Sequence, residues 1–204
     1  MASPLIPGTV VWSGDNPGIY LKDEQGAWQA LAVYFRVVAS PHGSGTGMVV
    51  LGEPASAAGW PACRNLCLHT NQPLMRWLVK DFVAHFASFR GMAGLQSMSY
   101  LAAESCTTAG DGRTFHEETL TGAGVTASLR WDGLATPFAA DVPPALSATG
   151  EHRMLSVFVE AKSGSIRVNG TPLAGRVIER DFLTRRMSTA FLAFSETWIS
   201  PATA

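Results

Sequence analysis

The chain has 204 residues, 47% of them apolar and only 15% charged, with a formal net charge of −1. Ample apolar material and low charge exclude a disordered chain. Without a basic excess, no nucleic-acid partner is expected.

Residues 1–8 lack a basic start and carry Pro4 and Pro7, so they do not read as a secretory leader. Residues 9–13, 19–22 and 28–39 are apolar runs that predict strands, the last rich in β-branched and aromatic side chains. A Pro-His-Gly-Ser-Gly turn at 41–45 predicts a hairpin into 47–51, and 66–69 adds another strand. The glycine-rich stretch 43–47 lacks the lysine of a phosphate loop and reads as a hairpin loop. Cys63, Cys67 and Cys106 are odd in number and form no CxxC pair, which predicts reduced thiols and a cytoplasmic protein.

One long amphipathic helix is predicted over 72–90. Asn71 suits the N-cap, Pro73 the first turn and Gly91 the position just past the end. Leu74, Trp77, Leu78, Phe82, Phe86 and Phe89 recur at three- and four-residue steps, a stripe that needs a sheet to lie against. The charges Arg76, Lys80, Asp81 and Arg90 exclude a membrane span, so no membrane partner is expected.

Residues 99–108, 114–121, 125–132, 153–161, 166–168, 173–182 and 187–198 then read as strands separated by Gly, Pro, Asn and Asp turns, including a turn at 162–165. Frequent turn signals predict a meandering sheet that curls to hide its edges. The expected fold is α+β, a single domain over 1–204. It comprises a strongly curved antiparallel β-sheet or incomplete β-barrel with the long helix against it. The alternative is a hot-dog-like wrap of the sheet around the helix.

No catalytic signature such as GxSxG or HExxH occurs. The candidates are ionisable residues on apolar strands. By alternation Leu192, Phe194, Glu196 and Trp198 share one face, so Glu196 is either paired with Arg176 or Arg180 or raised in pKa to serve as a proton donor. Glu104 shares a face with Tyr100 and Cys106. His116 and Glu118 also share one. A three-residue loop at 122–124 sets them opposite Arg130 and Ser128, a patch able to hold a carboxylate or polarise a carbonyl. A two-residue loop shifts every pairing by one. His152 opens a strand at a loop junction, where acid–base groups suit a barrel mouth. Glu160 is set aside, because a turn at 163–164 would pair it with Arg167.

The expected catalytic residues are therefore Glu196, His116, Glu118, His152 and Glu104. The expected substrate-binding residues are Arg130, Ser128, Trp198, Tyr100 and Phe194. No two histidines have ligand spacing, so neither metal nor cofactor is expected. The pattern predicts a cofactor-independent enzyme performing lyase, isomerase, dehydratase or hydrolase chemistry on a hydrophobic small molecule in an internal pocket. The alternatives are a non-catalytic carrier or sensor, and a structural protein that assembles through apolar strands. Low charge content points to buried subunit contacts or an internal cavity, and a homo-oligomer is expected.

Overall fold

The computed structural model describes residues 5–202. The chain begins with β1 (Gly8–Asp15), β2 (Gly18–Lys22), β3 (Trp28–Ala39), β4 (Gly45–Leu51) and β5 (Asn65–His69). A helical stretch follows: α1 (Gln72–Asp81), a 3₁₀ turn at Val83–His85, and α2 (Ala93–Ser97). Next come β6 (Ser99–Ala102), β7 (Ser105–Gly110), β8 (Phe115–Gly122), β9 (Val125–Leu134), β10 (Phe138–Val142) and β11 (Arg153–Val168). The chain closes with β12 (Thr171–Pro172), β13 (Glu179–Phe182), β14 (Arg185–Ser188) and β15 (Ala190–Pro201).

One large curved sheet runs in the order β6-β5-β4-β3-β1-β15-β11-β9-β8-β7, with β2, β10 and β12 on its branches. Its end strands β6 and β7 are separated in sequence only by Ala103 and Glu104. One bent stretch of chain therefore pairs with β5 at one end and β8 at the other, closing the sheet on itself. Closure leaves few free edges. The sheet is mixed rather than purely antiparallel, because β6 runs parallel to β5. The helical stretch supplies the crossover that a parallel pair requires.

Strand β3 shows how two cores arise. Ala30, Ala32 and Tyr34 face the barrel interior with Leu120, Leu129 and Trp131 of β8 and β9. Leu31, Val33 and Phe35 face outward, under Leu74, Leu78 and Phe82. A strand buried on both faces reads as a continuous apolar run, as 30–35 does.

Several expectations need correction. The helix is not 72–90 but Gln72–Asp81, ten residues. Its start follows the expected chemistry: Asn71 accepts from the Leu74 N–H at 3.1 Å, and its Nδ2 donates to the carbonyls of His42 and Ser44. It ends at Phe82 (φ −127°, ψ −61°). Phe82 sits edge-on to Trp12, Trp77 and Trp198, whereas Phe89 packs on Tyr20 at 5.5 Å. A straight helix would carry both rings along one line. Aromatic and β-branched residues hold a helix weakly, so tertiary packing wins. The hot-dog-like alternative fails as well, since side chains fill the barrel and the helix packs outside it.

Strand β11 is also unbroken through the expected turn at 162–165. Gly164 marks a close approach instead: a Cβ there would lie 2.9 Å from the Ala190 Cβ and 3.2 Å from Ile19. Glu160 consequently sits opposite Phe191, not Arg167, and pairs with Arg185 at 3.1 Å.

Candidate functional site

The local structure around Glu196 is set by a β-bulge. Strand β15 pairs with β11 as Thr197 with Leu155 and Phe194 with Val157, so Ser195 and Glu196 together oppose Ser156. Ser195 takes φ 51°, and its N–H donates to Asp15 Oδ1 at 3.1 Å. The extra residue reverses the alternation. Leu192 and Phe194 belong to the barrel interior, while Glu196 and Trp198 join Phe191 on the outer face. The expected common face of Phe194 and Glu196 is thus corrected.

Glu196 is 4% exposed. Its Oε1 accepts from Trp198 Nε1 at 2.7 Å and from Asn16 Nδ2 at 3.1 Å. Among the described residues it has no ion pair, so neither Arg176 nor Arg180 neutralises it. Burial pushes its pKa up to about 7. The bonds from Trp198 and Asn16 oppose that rise, and the Asp15 charge adds to it.

This carboxyl group lines a cleft of about 310 Å³. The floor is β2, β11 and β15, through Tyr20, Phe158 and Phe191. Three segments wall it: residues 85–90 beyond the helix, the loop after β10, and the β13–β14 hairpin. Tyr20 is buried, and among the described residues its hydroxyl makes no hydrogen bond. Burial pushes its pKa up to about 12, Arg180 pulls it back, and the Glu196 charge raises it. The Arg180 guanidinium lies 5.3, 5.5 and 5.4 Å from the ring centres of Tyr20, Phe182 and Phe191. Among the described residues its buried Nε has no acceptor.

The other expected residues lie elsewhere. Hairpin β8–β9 turns on two residues, Ala123 and Gly124, at φ 50° and 74°. His116 therefore faces Trp131 and Glu118 faces Leu129, so the patch with Arg130 and Ser128 does not form. Arg130 lies on the opposite face, bonded to Glu117 and Asp132, with Ser128 beside Thr119.

His116 and Glu118 do meet, in a second cluster. Glu118 Oε1 accepts from Arg36 Nη2 at 2.7 Å and His116 Nε2 at 2.9 Å, and Oε2 accepts from Thr108 at 2.7 Å. Burial alone would raise the Glu118 pKa, but the donors His116 and Thr108 and the charge of Arg36 hold it below the usual carboxylate range. Both oxygens are engaged, so this cluster is a satisfied network.

His152 bonds Thr149 through Nδ1 at 3.0 Å and lines a neighbouring cleft of about 300 Å³ with Asp81, His85 and Glu151. Glu104 is exposed at the β6–β7 junction, where its Oε1 accepts from the Ala123 N–H at 3.4 Å. Tyr100 lies under the Arg76 guanidinium, and Phe194 packs on His116. Of the ten expected residues, only Glu196 and Trp198 share the Glu196 cleft.

Asn16 and Tyr20 escaped the sequence reading. Asn16 falls between the predicted strands 9–13 and 19–22, and a tyrosine in an apolar strand carries little signal by itself. No protein family, curated protein or solved structure matches the chain. Among the described residues, no helix is long and apolar enough to cross a membrane, and no group of three His, Cys, Asp or Glu side chains is placed to hold a metal ion.

Proposed function

We propose that the chain is a cofactor-independent acid–base enzyme for a largely apolar small molecule, with Glu196 as the group that takes and returns a proton. The observation that carries this reading is a carboxyl group buried in an aromatic cleft, poised near pH 7, with only one oxygen engaged. An acid–base catalyst works best when its pKa lies near the working pH. Tyr20 remains protonated at neutral pH and has a free hydroxyl, so it suits a developing oxyanion on a substrate carbonyl. Together they fit abstraction of a proton beside a carbonyl and its return at the same or a neighbouring carbon.

Deuterium wash-in provides the test. The protein is incubated in D₂O with 2-octanone or 4-phenylbutan-2-one, and loss of the C–H signals beside the carbonyl is followed by proton NMR. Wild-type protein is expected to exchange these protons faster than Glu196→Gln; equal rates would refute the catalytic role. One observation favours a carrier instead: the groups bonded to Glu196, Asn16 and Trp198, cannot relay a proton at neutral pH. Tight binding of the ketones without exchange would select that reading.

A further inference from the structure

We propose that the cleft recognises a monocarboxylate with an apolar body, its carboxylate held by Arg180. This deepens the reading above and rests on the cleft being a ligand site. Arg180 is a half-buried guanidinium with no ion pair among the described residues, although both Asp181 and Glu196 line the same cleft. Among the described residues its buried Nε has no acceptor, so neither an ion pair nor that hydrogen bond offsets the cost of burying part of this cation. Tyr20, Phe182 and Phe191 surround the guanidinium with ring centres 5.3–5.5 Å away, contacts that attract its charge without supplying a hydrogen-bond acceptor. A guanidinium without a protein counter-ion is a planar fork that can hold a carboxylate through two parallel bonds.

The rest of the cleft limits the ligand's charge and shape. No lysine and only one further arginine, Arg90, lines it, so it suits one negative charge better than a phosphate dianion. Phe158, Phe191 and Trp198 offer an apolar wall. Leu146 and Leu183 belong to two separate lining segments and are 68% and 45% exposed. Exposed aliphatic groups at the rim fit an apolar chain leaving the cleft.

The test is calorimetric titration of the full chain with two matched pairs: octanoate against octan-1-ol, and 3-phenylpropionate against 3-phenylpropan-1-ol. At least one acid is expected to bind about tenfold or more tightly than its alcohol. Arg180→Met should remove that preference and leave alcohol binding unchanged. Arg180→Lys keeps the charge without the fork, so it should retain a preference weakened about threefold and guards against a folding artefact. Equal binding of acid and alcohol, or a preference that survives Arg180→Met, overturns the carboxylate assignment and leaves the acid–base reading standing. Absence of binding by all four probes overturns both. Acid preference without deuterium exchange of the ketones sinks the catalytic reading alone.

Discussion

The indole N–H of Trp198 donates to Glu196 Oε1 across 2.7 Å, two residues along the same strand. The bulge at Ser195 puts both side chains on the outer face of the sheet. The ring that desolvates the carboxyl group therefore also supplies one of its two donors. These effects oppose one another, and burial wins, leaving the pKa at about 7.

The raised pKa makes stability fall with pH. Folded Glu196 keeps its proton up to about pH 7, whereas the unfolded chain loses it near the ordinary value of 4.5. The contribution is fully present below the unfolded value and is lost as pH rises through the folded one. The two values correspond to roughly 3 kcal/mol, an order-of-magnitude figure. Urea denaturation at several pH values should show wild-type protein losing about that much between about pH 4.5 and 7 relative to Glu196→Gln, whose neutral amide cannot titrate. Parallel stability curves for the two proteins would show that Glu196 is solvated.

Trp198→Phe separates desolvation from hydrogen bonding. The ring stays and the donor goes, leaving Asn16 alone on the carboxylate. A bond to a charged group is worth about 1.5 kcal/mol, so the Glu196 pKa should rise by about one unit. Carbon-13 NMR titration of labelled glutamate reads this directly. A downward shift would mean that water fills the space and solvates the carboxylate.

The legible part of this fold was its strand content and curvature; the face assignments depended on single residues. Glu196 illustrates this. Alternation grouped it with Phe194, but no glycine or proline marks the bulge at Ser195 that separates them. The β8–β9 register turned on whether Gly122 belongs to the loop. It pairs with Val125, and that one-residue difference puts Arg130 and Glu118 on opposite faces. Gly164 misled in the other direction, since a glycine required by a close crossing resembles one required by a turn. Arg180 was visible only as a partner for Glu196. Its place in the cleft comes from the β13–β14 hairpin, a separate two-stranded sheet whose packing against the large sheet no local pattern announces.

The broken helix gives a prediction about packing. The predicted stripe treated Trp77 and Phe82 alike, yet Phe82 is 1% exposed while Trp77 is only partly buried. Phe82→Ala should cost about 3–5 kcal/mol, the range for a buried phenylalanine. Trp77→Ala should cost less, because part of its surface already meets water. Chemical denaturation of the two variants ranks them, and the reverse order would indicate that the helix continues through Phe82.

The Glu118 network should behave oppositely to Glu196 with pH. Its folded pKa is depressed, so its contribution is present above the unfolded value and is lost as pH falls through the folded one. Breaking a buried pair costs about 3–5 kcal/mol, but Arg36 is 39% exposed and stays hydrated when its partner goes, so about 2 kcal/mol is the better figure here. Glu118→Gln should therefore unfold at lower urea than wild type at pH 7, with the gap narrowing as pH falls below the usual carboxylate range and wild-type Glu118 becomes protonated. In the deuterium wash-in assay, folded Glu118→Gln should exchange ketone protons at the wild-type rate, because its carboxylate is saturated by Arg36, His116 and Thr108. The two clusters are thereby distinguished in one experiment. If folded Glu118→Gln loses exchange while Glu196→Gln keeps it, the proton-transfer centre is the His116–Glu118 pair and the cleft is a binding site only.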